Sequence, residues 1–280
     1  MGSETRILYQ SNFYTIIDFK CNCNLKGTSC VEYQPDFTMS YVRKGNFLFN
    51  VFRNSLDAYN GWILLNKPEH EHTVTHFDGL PDECTIFKFN KEFYETIKLD
   101  FENLQEKFFN NNDVHSVLIK ADAEFEHMHY SILQTLRTKK ISNMIIDSFV
   151  LEMLYSTLTA LHDCEEPVTF SERFKRNHLT TIEKAKHFIN EKFEEDISLF
   201  DVAENCFVSP FHFSRIFKTI TSYSPYQYLL NVRLKKAEIL LKTTDLPVTQ
   251  ICFKSGFQNL EHFSYAFKRK YQIAPSRLKK

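Results

Sequence analysis

The spacing of apolar positions along this chain changes near residue 90. Before it, short aromatic and β-branched runs predict strands at Phe13–Phe19, Phe37–Val42, Phe47–Phe52, Trp62–Leu65 and Cys84–Phe89. Turn-forming residues separate them. Lys44-Gly45-Asn46 lies between two runs, and Asn60-Gly61 predicts a type I′ hairpin, whose two central residues both need positive φ. Short strands at this spacing predict a sandwich or a small barrel. After Asn90 the apolar steps become three and four residues. Ile141–Leu161 reads as a long amphipathic helix with Met144, Ile145, Ser148, Leu151, Tyr155, Leu158 and Leu161 on one stripe. That stripe must be covered, by the chain's own sheet or by a second copy.

Asp163–Asn177 is polar, carries Pro167 and reads as a linker. From His178 the pattern is helical throughout. Ile182, Ala185, Phe188, Ile189 and Phe193 mark one helix, and Leu199, Val202, Ala203 and Cys206 mark a short one. Ser209-Pro210 and Ser224-Pro225 are cap-plus-proline starts, the second opening a long helix through Leu241. Val248, Ile251 and Cys252 open another unit, with Gly256 in its turn and Asn259 as a cap.

Within this region one pattern occurs twice, fifty positions apart. Phe211-His212-Phe213-Ser214-Arg215-Ile216-Phe217-Lys218 is matched by Glu261-His262-Phe263-Ser264-Tyr265-Ala266-Phe267-Lys268, and Pro225 by Pro275. A short helix, a turn and a second helix, present in duplicate, form a device for reading DNA. Phe213, Ile216 and Phe217 face inward in the first copy; Phe263, Ala266 and Phe267 do so in the second. Ser209, Phe211, His212, Ser214, Arg215 and Lys218 are then candidate DNA contacts, as are Asn259, Leu260, Glu261, His262, Ser264, Tyr265 and Lys268. The guanidinium of Arg215 matches guanine O6 and N7, Phe211 suits a thymine methyl, and Lys218 suits a phosphate. Tyr265 stands where Arg215 stood, and Glu261 repels phosphate but can accept from cytosine N4. The second helix is expected to add less affinity.

Charge sharpens this picture. Residues 1–170 hold 15 basic against 24 acidic side chains, whereas residues 171–280 hold 19 against 11. From Ser209 onward the balance is 13 against 3, which points to a polyanionic partner for that half. The chain has 28 Phe against 6 Gly, enough aromatic area for a substantial core without staples. No run of about 18 apolar residues predicts a membrane span. No secretory segment follows Met1, and seven irregularly spaced Cys fit free thiols in a reducing cytoplasm.

Residues from about His178 to Lys280 resemble the DNA-binding domain of AraC/XylS-family bacterial transcription regulators. The matching positions include Leu199, Val202-Ala203, Phe213-Ser214-Arg215, Phe217-Lys218, Ser224-Pro225, Tyr228, Arg233-Leu234, Ala237 and Leu240-Leu241. They continue through Val248, Ile251-Cys252, Gly256-Phe257, Phe263-Ser264, Phe267-Lys268 and Pro275. The resemblance implies two helix-turn-helix units on a connecting helix, entering successive major grooves about 34 Å apart. It also implies an N-terminal cupin-like β-barrel that senses a small molecule and forms a homodimer, with contact to RNA polymerase. The expected organisation is therefore α+β: a sensor domain over 1–162, a linker over 163–177 and an all-α DNA-binding domain over 178–280. The chain departs from the family at Ser222 and Gln272, where glycine is usual, so those helix ends are expected to be strained or differently capped.

Two clusters suggest other chemistry. His70, His72 and His76 share a face if their stretch is a regular strand, and three imidazoles can hold Zn²⁺ or Fe²⁺. Cys21, Cys23 and Cys30 offer thiolates to a soft metal or an oxidant. These are the alternatives: a metal-dependent cupin enzyme with a DNA-binding tail, or a metal- or thiol-responsive regulator. The leading expectation is a non-enzymatic, effector-responsive regulator of double-stranded DNA with no catalytic residue, no cofactor and no structural metal.

Overall fold

The computed structural model describes residues 3–21, 27–77, 81–101, 106–138, 143–161 and 169–279. These divide into two compact units. One comprises residues 1–121 and 131–180; the other comprises 122–130 and 181–280.

The first unit is built on two antiparallel sheets. The larger contains β1 (Ser3–Gln10), β2 (Tyr14–Cys21), β5 (Phe37–Lys44), β8 (Trp62–Asn66), β10 (Glu83–Phe89) and β11 (Ser116–Lys120), in the order β1-β2-β10-β5-β8-β11. The smaller runs β3-β9-β6-β7, from β3 (Gly27–Thr28), β6 (Asn46–Val51), β7 (Asn54–Tyr59) and β9 (His70–His76), with β4 (Glu32–Gln34) also paired to β9. The expected strand-rich N-terminal domain is thus present, but as two separate sheets; among the described residues the expected barrel does not close.

The two predicted turns are corners between these sheets. Gly45 takes β5 into β6, and Asn60-Gly61 takes β7 back into β8. Only Gly61 of the Asn60-Gly61 pair has positive φ (87°), so this is no type I′ hairpin. The corners lock to each other instead: Asn60 N–H donates to the Gly45 carbonyl (3.1 Å) and Gly61 N–H to that of Val42 (3.0 Å). The two-residue hairpin lies elsewhere, at Phe52-Arg53, with Phe52 at φ 51°.

Helices α1 (Lys91–Phe101) and α2 (Glu106–Phe109) precede β11, and α3 (Ala123–Thr138) and α4 (Asn143–Ala160) follow it. Every residue of β8 is buried, as expected for a strand covered on both faces. Helix α4 packs on the same larger sheet: the Thr157 hydroxyl reaches Met39 Sδ (3.5 Å) on β5, and Tyr14 on β2 donates to Asp147 (2.7 Å). Its buried face is Ile146, Phe149, Val150, Met153, Leu154, Thr157 and Leu158. The predicted stripe was placed wrongly: Met144, Leu151 and Tyr155 are exposed. The helix is apolar nearly all round, so spacing alone could not single out the core face.

The second unit is helical. It takes the end of α5 (Glu172–Lys192), then α6 (Leu199–Asn205), α7 (Pro210–Thr221), α8 (Pro225–Thr243), α9 (Val248–Lys254), α10 (Leu260–Tyr271) and α11 (Pro275–Leu278). The expected linker is part helix, since α5 begins at Glu172; residues 162–168 lie outside the described residues. The first turns of α3 belong to this unit as well, a contribution that the sequence did not announce. Glu126 on α3 is 5% exposed and accepts from Lys186 Nζ on α5 (2.5 Å) and from the Tyr228 hydroxyl on α8 (2.6 Å). Asn190 Nδ2 donates to the same Tyr228 oxygen (3.1 Å), and Asn190 Oδ1 lies 3.0 Å from His127 Nδ1. Burial pushes the His127 imidazole down to about 4, so it is neutral here near pH 7.

Removing one member of a buried ion pair strands the other, at a cost of about 3–5 kcal/mol. Glu126→Ala should therefore strongly reduce hydrogen-exchange protection of the α8 amides. Glu195→Ala removes only the exposed Lys192–Glu195 pair (2.7 Å) and should cost less than about 1 kcal/mol.

Candidate nucleic-acid interface and sensor cavity

The first helix-turn-helix is α6 and α7. A capping box starts α6: the Ser198 hydroxyl accepts from Asp201 N–H (3.2 Å) and the Asp201 carboxylate accepts from Ser198 N–H (2.7 Å). The Ser209 hydroxyl accepts from His212 N–H (3.4 Å), and Pro210 occupies the first helical position of α7. This helix buries Phe213, Ile216, Phe217 and Ile220. Phe211, Arg215 and Lys218 stand exposed, with His212 and Ser214 half-buried.

The second unit is α9 and α10. Asn259 Oδ1 accepts from the N–H groups of Glu261 (2.7 Å) and His262 (3.1 Å). Helix α10 buries Phe263, Ala266 and Phe267, leaving Leu260, Glu261, His262, Tyr265 and Lys268 exposed and Ser264 half-buried. The same pair of rings anchors both helices, Phe213 on Phe217 (5.4 Å between centroids) and Phe263 on Phe267 (5.6 Å). Each of these rings is fully buried, contributing about 1.5–3 kcal/mol.

All thirteen candidate DNA contacts thus lie outside the core, but not all are free. Ser209 and Asn259 already serve as caps. His262 Nε2 lies 3.4 Å from the Tyr226 hydroxyl, and its ring meets Phe257 edge-on at 5.6 Å. Lys270, counted in the basic tail, is held by an ion pair to Glu124 and a bond to Asn231 (3.2 Å). Lys235 is buried beside Glu238 (2.9 Å), with Glu124 3.9 Å away. The surface is therefore less basic than the residue count.

The duplicated pattern is not exact in space. Four residues separate α6 from α7, and five separate α9 from α10. Each turn needs one left-handed residue, Phe207 (φ 57°) in the first and Gly256 (φ 82°) in the second. A Cβ at Gly256 would lie 2.2 Å from the Phe193 carbonyl oxygen and 2.8 Å from Arg233 Nε. That carbonyl accepts from Arg233 Nε (2.8 Å), while Arg233 Nη2 donates to the Glu195 carbonyl (2.8 Å). Arg233 on α8 thus pins the chain after α5, and the second turn closes against it. The sequence placed Arg233 in the family pattern without revealing this role.

Ser222 (φ 68°) and Gln272 (φ 61°) take the left-handed C-cap that glycine would occupy. Their N–H groups still donate to the carbonyls of Lys218 and Lys268, each at 2.9 Å. The expected strain is therefore real, while the cap geometry is retained.

In the first unit a cavity of about 530 Å³ lies between the two sheets. Phe19, Phe47, Phe49 and Leu64 make part of its wall apolar; Ser40 and Asn66 add polar groups. No Lys or Arg is among its described lining residues. The predicted histidine trio does not assemble. His70 and His76 are six residues apart on β9, about 20 Å along a strand, too far to share an ion. His70 faces His115 (ring centroids 5.3 Å) and His72 (6.0 Å), and burial lowers its pKa to about 4. Of the predicted cysteines, Cys30 is exposed, Cys21 is buried, and Cys23 lies outside the described residues. Among the described residues, the group of side chains close enough to hold one metal ion is Cys21, His76 and Asp82. Asp82 was missed because no spacing rule links it to the others.

No helix among the described residues is long and apolar enough to cross a membrane. A helix-turn-helix domain family matches residues 202–280. The Msm operon regulatory protein of Streptococcus mutans is 28% identical over 127 residues, 45% of each chain. The transcriptional activator RhaS of Mannheimia succiniciproducens is 25% identical over 199 residues, covering 64% of this chain and 72% of that protein. The C-terminal domain of AraT, a response regulator from Geobacillus stearothermophilus, is 32% identical, covering 35% of this chain and 83% of that one, with a TM-score of 0.35. The match spans about half the length of some of these relatives.

The turn geometry gives opposite expectations for two glycine exchanges. Gly256→Ala combines a left-handed backbone with a backbone collision and should destabilise the helical unit by about 2–4 kcal/mol. Gln272→Gly relieves a left-handed side-chain clash and should stabilise it by about 0.5–1 kcal/mol. Thermal melts of both variants check the signs.

Proposed function

Because this chain belongs to the AraC/XylS family of transcription regulators through its C-terminal helix-turn-helix region, we propose that it reads a specific duplex with α7 and α10 under control of a small effector. The observation that carries this reading is the pair of helices held by matching buried Phe rings, with Arg215, Lys218, Tyr265 and Lys268 left exposed. Arg215 reads guanine, Lys218 and Lys268 hold phosphates, and α10 supplies the softer half of the recognition. The domain limits stay as read from sequence, 1–162 for the sensor and 178–280 for the reader, with residues 122–130 completing the reader's core.

The cavity between the sheets is the effector site. With apolar rings beside hydroxyl and amide groups, and no Lys or Arg among its described lining residues, it suits a largely apolar molecule carrying a few polar groups. The second face of α4, with exposed Met144, Leu151 and Tyr155, is the homodimer contact. RNA polymerase is the further partner of the DNA-bound form.

Arg215→Ala should cost about 1–3 kcal/mol on the target promoter and relax preference at one or two base pairs. Lys218→Ala should weaken every sequence alike and lower the salt slope by about one. Binding isotherms on target and scrambled duplexes at several salt concentrations separate the two. An unchanged sequence preference in Arg215→Ala refutes the assignment. For the dimer, Leu151→Glu should turn a dimeric species into a folded monomer by light scattering.

A further inference from the structure

Three buried side chains at one end of the sensor cavity take no part in DNA binding. Cys21 ends β2, His76 ends β9, and Asp82 immediately precedes β10. They are 4%, 4% and 2% exposed. Cys21 Sγ lies 3.7 Å from His76 Nε2, and His76 Nδ1 lies 3.1 Å from Asp82 Oδ1. One donor atom from each residue falls within 4.8 Å of the other two.

The backbone holds this arrangement in place. Cys21 N–H donates to the Asp82 carbonyl (2.9 Å), fixing the thiol and the carboxylate side by side. Gly45 (φ 76°) lets the other side close down: a Cβ there would lie 3.0 Å from both the Asp82 Cα and the Pro81 carbonyl. An exposed surface cluster would not need this packing.

The short contact between His76 and Asp82 is not a hydrogen bond. His76 Nδ1 and Asp82 Oδ1 are both buried and both lack a hydrogen-bond partner, although they are 3.1 Å apart. An imidazole N–H serving a carboxylate would point at it. Two buried polar atoms this close, yet outside hydrogen-bond geometry, are placed as ligands around a cation are. An almost fully buried carboxylate oxygen without a hydrogen bond costs free energy, which a cation bound between it and the imidazole would offset.

The donor set selects the ion class. Thiolate, imidazole and carboxylate together suit a borderline divalent ion, zinc above all. Ligand atoms of a tetrahedral zinc lie about 3.3–3.6 Å apart, from bond lengths of about 2.0–2.3 Å. The 3.7 Å from Cys21 Sγ to His76 Nε2 and the 3.1 Å from Asp82 Oδ1 to His76 Nδ1 lie near that range but use opposite ring nitrogens; a turn of the imidazole that presents one nitrogen to both neighbours completes the set. Cys84 lines the same cavity. We infer that Cys21, His76 and Asp82 form a zinc-class metal site in the cavity wall, with its fourth position open to the cavity.

The test uses the full chain, stripped by a chelator and titrated with Co²⁺ and then Zn²⁺. One Co²⁺ should bind per chain with a near-ultraviolet thiolate-to-cobalt band, and Zn²⁺ should displace it. Cys21→Ser should abolish the band. His76→Gln and Asp82→Asn should weaken binding at least about a hundredfold, since even outer-shell partners are worth about 10–100-fold. Cys30→Ser should change nothing. Absence of the band from the wild-type protein overturns the site whatever the variants do, and so does a band that survives Cys21→Ser. Promoter binding is not read in this experiment, so its failure leaves the DNA-binding reading intact.

Discussion

The helical unit depends on one buried carboxylate. Glu126 is the acceptor for both Lys186 and Tyr228, on two different helices, at a site shielded from water. An ammonium ion cannot sit there alone, and a phenol hydroxyl there needs an acceptor. The pairing therefore fixes how α3, α5 and α8 approach one another more than it adds stability. Both helix-turn-helix units connect through α8: its N-terminus follows α7, its C-terminus leads to α9, and its middle carries Arg233. A polar anchor of this kind fixes the seat of the helix that joins the two helix-turn-helix units. Purely apolar packing tolerates small slips; a charge with two fixed partners does not.

Arg233 extends the same logic to the second turn. Its guanidinium satisfies two carbonyls at the end of α5, and Gly256 seats against that junction with no room for a Cβ. The first turn has no such neighbour pressing on it and tolerates Phe207, 88% exposed in a left-handed conformation. The two units look like repeats because their helices bury the same rings. They differ where each turn meets the rest of the fold.

Much of the helical unit was legible in the sequence because its signals are local. Ser209, Ser224 and Asn259 cap where their side chains can reach a first-turn N–H, and Phe213, Phe217, Phe263 and Phe267 sit at helical spacing. The N-terminal unit was legible only in class. Its pairings are long-range, so Asn60-Gly61 looked like a hairpin when it is a corner between sheets. On α4, apolar residues on every side hid which stripe faces the sheet. The histidines misled for a geometric reason: a strand face collects every second residue, yet it also spreads them out by about 6.6 Å per step. What comes together is decided by where strands end: Cys21 closes β2, His76 closes β9, and Asp82 lies just before β10.

Electrostatics separate the two reading helices more firmly than sequence alone suggests. Near α7, Arg215 and Lys218 are exposed, and no acid lies within the helix. On α10, Glu261 stands exposed in the first turn, where the helix N-terminus favours an anion, and Lys270 is drawn off to Glu124. Each phosphate contact contributes to the salt-sensitive part of binding; each bidentate base contact contributes to preference. By that division α7 exposes side chains of both kinds, Arg215 and Lys218, whereas α10 exposes Lys268 and Arg269 beside Tyr265 and the acidic Glu261. The two helices therefore present unequal surfaces: one carries cations without an acid, the other sets an acid in its first turn against cations in its last.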